Sequence, residues 1–183
     1  GFYNLTVKSG KLTVEKRPLV IQAGSVSYKY AGYELDCRDF TVDPTTSLVS
    51  GHHLEVQSAS TILDVGTAPN ILTFAVLNRR GVEETHNYSV FVKEGTLTVT
   101  PRSVTIHTES GSLVYNGTDQ SYPHVTVENG VGDEYRAVNA TTRRDVGSTT
   151  NHLQVEFWRD GKNITSYCQT YLKAGQKQLN SLV

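Results

Sequence analysis

Methionine is missing from the 183 residues, tryptophan occurs once, and cysteine only twice, at Cys37 and Cys168. Two cysteines far apart, at non-equivalent places in the two halves of the chain, make no disulfide framework and no metal-ligand spacing, so both read as free thiols. No apolar run approaches the ~18 residues of a spanning helix. Membrane insertion is therefore not expected of these residues, and any export signal or wall anchor is expected outside them. Basic and acidic side chains number 17 and 18 and are interspersed, for a net charge of −1. That balance supplies no basic footprint and argues against a nucleic-acid partner. There is no Gly-x-Ser-x-Gly elbow, no glycine-rich phosphate loop and no His-Glu-x-x-His, so no catalytic, cofactor or metal residue is nominated and the chain reads as a non-enzyme.

What the chain does have is a repeat. Tyr3, Gly10, Leu12, Val14, Arg17 and Ile21 each recur 85 positions later, as Tyr88, Gly95, Leu97, Val99, Arg102 and Ile106. Further on the spacing shortens to 81, with Gly51, Asp64-Val65-Gly66 and Asn70-x-Leu72 answering Gly132, Asp145-Val146-Gly147 and Asn151-x-Leu153. Later Gly81 answers Gly161, and Tyr88 aligns with Tyr167, which puts Cys168 at the place of Ser89. Length changes of this kind belong in surface turns. The division that follows is residues 1–16 as the closing hairpin of a preceding repeat, 17–100 as the first repeat and 101–183 as the second.

Within each repeat the apolar residues alternate. Leu54 and Val56, then Leu72, Phe74 and Val76, then Tyr88, Val90 and Val92 form core rows, with Tyr135, Ala137, Leu153, Val155 and Phe157 as counterparts. Two short strands are expected in the opening segment, around Asn4–Val7 and Lys11–Val14. No window carries a persuasive 3.6-residue period. Six or seven short strands per repeat, separated by turn signals, predict an all-β chain of two tandem immunoglobulin-like β-sandwich units, with β-grasp-like units as the alternative.

The repeated motifs read first as structure. Asp64 with Gly66, and Asp145 with Gly147, are turn corners in which the acid bonds backbone amides and the glycine takes positive φ. Tyr30-Ala31-Gly32 and Tyr115-Asn116-Gly117 are turns beside a buried ring. His52 and His53 are adjacent and face opposite sides of a strand, so they do not converge on a metal; Asp133 and Glu134, their counterparts, suggest a solvated turn. Thr100, Pro101 and Arg102 form an inter-unit hinge, restricted by the proline. Trp158, Tyr33, Tyr122 and Tyr171 are the candidate ligand contacts, as aromatic faces suited to a sugar.

Asn87-Tyr88, then Gly95-Thr-Leu-Thr-Val-Thr-Pro-Arg, then Val114-Tyr115-Asn116-Gly117-Thr118, together with the Asp-Val-Gly corner, resemble the MBG and YDG repeats of large bacterial surface proteins. The likeness covers both repeats, departs at Tyr30-Ala31-Gly32-Tyr33, and loses Leu-Thr-Val-Thr at the end of the second repeat, between Tyr167 and Val183. It implies a secreted adhesin or stalk on the bacterial cell surface or wall, in which the neighbouring repeats of the same chain are partners. The expected role is a non-catalytic structural stalk repeat; the alternative is an adhesion module for glycan, mucin or a host protein. No cofactor is implied.

Overall fold

The structure, a computed structural model, describes residues 2–172, and the side chains of residues 2–170. It is nearly all β, in several small sheets. The first repeat supplies β1 (Arg17–Ala23), β2 (Val26–Lys29), β3 (Leu35–Asp36), β4 (Phe40–Val42), β5 (His53–Ala59), β6 (Thr61–Ile62), β7 (Gly66–Asn70), β8 (Leu72–Leu77), β9 (Tyr88–Lys93) and β10 (Gly95–Thr100). The second supplies β11 (Arg102–Thr108), β12 (Gln120–Ser121), β13 (Val125–Glu128), β14 (Glu134–Val138), β15 (Thr142–Arg143), β16 (Gln154–Arg159), β17 (Lys162–Asn163) and β18 (Cys168–Leu172). One short 3-10 turn precedes β9 and another precedes β18.

The chain folds into two compact units that interleave along the sequence. One gathers the chain up to Ser25 with Cys37–Ser60 and Pro69–Gly95; the other gathers Val26–Asp36, Thr61–Ala68 and the chain from Thr96 onward. In the first unit β1 is the middle strand, antiparallel to β4 and parallel to β9, with Leu19 opposite Val90 and Ile21 opposite Val92. Alternation along β1 sends Leu19 and Ile21 into a core with Val76 and Tyr88, all at most 4% exposed. The antiparallel β5–β8 pair, carrying a bulge between Val56 and Ser58, brings Leu54 and Phe74 against the same core.

The second unit repeats this scheme: β11 lies between antiparallel β13 and parallel β18, and β14 pairs with β16. Its core is Tyr30, Val99, Val104, Ile106, Val155, Phe157 and Ile164. Val99 and Val104 stand on either side of Thr100-Pro101-Arg102, so the joint lies inside one compact unit. Tyr30 N–H donates to the Thr100 carbonyl at 2.9 Å, the Thr100 hydroxyl donates to the Tyr28 carbonyl, and Arg102 donates to the carbonyls of Asn129 and Tyr30. The expected hinge is a hydrogen-bonded, packed strand crossing.

Several local expectations change. Residues 2–16 form no strand, because no described residue pairs with them; Leu12 and Val14 are 93% and 90% exposed, whereas their counterparts Leu97 and Val99 are buried. Tyr135, expected in the core, is 45% exposed and only leans on Phe157, at 6.3 Å between ring centres. Tyr115 is likewise exposed, although Gly32 and Gly117 share a left-handed turn at φ of 82° and 80°.

Candidate functional site

The strand registers define the site. Tyr88 lies opposite Arg17 in one parallel pair, and Cys168 lies opposite Arg102 in the other. Since Arg17 and Arg102 are equivalent, Cys168 occupies the position of Tyr88, and the alignment of Tyr88 with Tyr167 is off by one residue. The preceding threonines agree with this: Val76 N–H donates to the Thr85 hydroxyl and Phe157 N–H to the Thr165 hydroxyl, at 2.9 and 3.0 Å.

In the first unit the Tyr88 phenol oxygen accepts from Val49 N–H at 3.1 Å and shares a 2.8 Å hydrogen bond with His52 Nδ1. His53 and Glu55 on the neighbouring positions are exposed. In the second unit the thiol at this position is far smaller than a phenol, and a cavity of about 260 Å³ opens there, lined by Cys168, Val104, Val127, Phe157, Tyr30 and Asp133 among others. Asp133, the counterpart of His52, does not stand in a solvated turn. Its side chain is 3% exposed and pairs with Arg159 Nη2 at 2.5 Å. A buried carboxylate requires such a partner.

Tyr30 completes the cluster. Its hydroxyl donates to Asp133 at 3.4 Å, its ring meets Tyr167 edge-on at 5.3 Å, and the Arg159 guanidinium sits 5.4 Å from its centre. Burial, reinforced by the neighbouring Asp133 carboxylate, pushes the Tyr30 phenol up to about 12. Burial, with Asp133 adding to it, pushes the Cys168 thiol up to about 11. A thiol held protonated is a poor nucleophile and a poor metal ligand. Both cysteines are free, Cys37 buried and Cys168 half-buried.

The aromatic residues nominated for ligand contact are placed separately. Trp158 is half-buried, its Nε1 donates to Glu156 at 3.1 Å, and the Arg136 guanidinium covers its ring at 4.0 Å. It borders a second cavity of about 320 Å³ with Glu134, Tyr135, Arg136 and Gly161. Tyr33 is 65% exposed, and Tyr122 packs against Gly111 and His124. Neither lines a described cavity with Trp158. The Tyr171 side chain lies outside the described residues.

At the two corners Gly66 and Gly147 take φ of 145° and 138°, values that favour glycine. Asp64 uses its carboxylate on Lys162 at 2.7 Å, and the Lys162 ammonium holds that carboxyl below the usual range. At the other corner the Arg143 guanidinium donates to the carbonyls of Asp145 and Val146.

A bridging amide is common to both repeats. Asn70 Nδ2 donates to the Gly24 and Cys37 carbonyls at 2.9 and 3.0 Å, and Asn151 Nδ2 donates to the Glu109 and Tyr122 carbonyls at 3.1 and 2.8 Å. The Asn-x-Leu match marked these positions, but sequence alone could not say what the amide bridges. Among the described residues no three His, Cys, Asp or Glu converge as a metal site, and no helix is long and apolar enough to cross a membrane. Compared with known family models, curated proteins and solved structures, the chain matches none.

Proposed function

We propose that the chain is a non-catalytic stalk segment of a secreted bacterial adhesin, standing on the cell surface or wall and built of tandem immunoglobulin-like sandwich repeats. The observation that carries this reading is the joint. A strand ending one repeat runs through Pro101 into the strand that opens the next, and Val99 and Val104 on its two sides share one core. A flexible tether would have a polar, glycine-rich linker there, whereas a fixed crossing suits a segment that transmits reach. With no α-helix among the described residues, the sandwich is favoured over the β-grasp alternative, which needs a helix. Burial holds the Cys168 thiol protonated and Asp133 is paired with Arg159, which is how core groups are accommodated.

Small-angle scattering on arrays of two, four and six repeats tests this. The maximum dimension should rise in proportion to repeat number; a compact particle whose dimension grows only as the cube root of mass removes the reading. The second reading, an adhesion module for glycan, mucin or a host protein, is favoured by one observation: Trp158 beside a cavity bordered by Glu134 and Arg136. Arg136 already covers the ring, so a sugar would have to displace it. Binding on a glycan array that disappears in Trp158→Ala would favour this reading over the stalk.

A further inference from the structure

The core of the second unit is drawn from both repeats: Tyr30, Leu35 and Ile62 come from the first, Phe157 and Ile164 from the second. Tyr30 has the largest of the fully buried side chains among the described residues. Three residues of the second repeat surround it. The Arg159 guanidinium stands 5.4 Å from the ring centre, Tyr167 meets the ring edge-on at 5.3 Å, and Ile164, 1% exposed, shares its core. A second contact between the repeats lies at the surface, where the Lys162 ammonium donates to the Asp64 carboxylate at 2.7 Å.

The first repeat carries different chemistry at these positions. Trp158 lies opposite Glu134 as Leu77 lies opposite His53, so Arg159 answers to Asn78. Thr165 answers to Thr85, so Lys162, Ile164 and Tyr167 answer to Val82, Glu84 and Asn87. In the first repeat three of these side chains hold one another: the Glu84 carboxylate accepts from Asn78 Nδ2 at 3.0 Å and from Asn87 Nδ2 at 2.7 Å. A phenol ring seated there would break those hydrogen bonds and cover a carboxylate stripped of its donors, which is costly. Val82 offers no cation to an aspartate in the place of Asp64. The positions that receive a ring in one repeat are closed by a polar trio in the other.

We propose that Arg159, Ile164 and Tyr167 form a socket by which the second repeat recognises Tyr30 of the first, with Lys162 and Asp64 as a surface latch. Recognition of this kind rests both on the matched contacts and on the poor fit of the alternative, so the two repeats are not interchangeable and their order is written in these side chains. In a tandem array each repeat is stabilised by its neighbour, and residues at the contact decide which neighbour serves. The inference rests on contacts within one compact unit and stands apart from the stalk reading.

Urea unfolding of full-length variants, followed through the single tryptophan, Trp158, tests it by double-substitution cycles. Tyr30→Leu removes the ring, and Tyr167→Asn installs the residue of the first repeat. Together they should raise the unfolding constant by about threefold to tenfold less than the product of their separate effects. Tyr167→Phe keeps the aromatic face, so its cycle with Tyr30→Leu should show none of this coupling. Asp64→Asn and Lys162→Val change exposed side chains and leave the core intact; their joint effect should fall short of the product by about twofold. Multiplicative effects of Tyr30→Leu and Tyr167→Asn, or equal coupling for Tyr167→Asn and Tyr167→Phe, overturn the proposal. If Tyr30→Leu does not fold, multiplicative effects at Asp64 and Lys162 overturn it.

Discussion

Tyr88 and Cys168 occupy one register position in two copies of the same strand, and their surroundings differ accordingly. The phenol fills the first core and ends on Val49 N–H and His52. The thiol leaves a cavity of about 260 Å³, and the residue at the His52 position, Asp133, turns instead to Arg159 and Tyr30. The strand frame tolerates this exchange because its hydrogen bonds are made by backbone, while the contents of the core are settled side chain by side chain. One unit is closed by packing, and the other is closed by a buried ion pair next to a void.

Substitutions can break or sharpen that contrast. The largest effect should come from Tyr88→Ala, which removes a buried ring and should cost about 3–5 kcal/mol in urea unfolding, against about 1 kcal/mol or less for Cys168→Ala. Equal losses would mean that the two positions bear equal weight. Next, Asp133→Ala leaves the Arg159 guanidinium without its partner and should cost about 3 kcal/mol, since Arg159 Nη1 already has none; His52→Ala loses one hydrogen bond at about 1 kcal/mol. If the aspartate variant proves the milder, the ion pair does not close the second unit.

A gain of about 1 kcal/mol is expected from Cys168→Tyr, which supplies the ring that the first repeat has; a loss would show that the cavity has reshaped around the thiol. The last contrast is in pH dependence and is confined to alkaline solution. Folding raises the Cys168 thiol from 9.0 to about 11 and the Tyr30 phenol from 10.0 to about 12. The folded state therefore holds these protons more tightly than the unfolded state. This contribution is fully present below pH about 9 and is lost as pH rises to about 12. Cys168→Ser should remove the earlier part of the decline; an unchanged profile between about pH 9 and 11 would assign that decline elsewhere.

Much of this architecture was legible in the residues, and the failures share a cause. Period-2 rows such as Leu72, Phe74 and Val76 found strands, and glycines such as Gly32 and Gly66 found turns, because pleating and positive φ are demands of the local backbone. Asp133 read as solvated because burial of a carboxylate depends on Arg159, a residue distant in sequence. Cys168 was misplaced by one residue because the flanking Tyr167 imitated Tyr88, and only the pairing with Arg102 fixes the register. Tyr135 alternates correctly and still faces water, since periodicity gives a face but not what covers it.

The sequence by itself determined the repeat, the alternation within each strand and the turns between them. Tertiary structure alone decided which alternating segment becomes a strand. Gly95–Thr100 and Gly10–Val14 carry nearly the same text, yet one is a middle strand with Leu97 fully buried and the other lies exposed in water. The physical reason is that a strand, unlike a helix, satisfies its backbone groups and covers its apolar row through a neighbour, and no segment encodes its own neighbour.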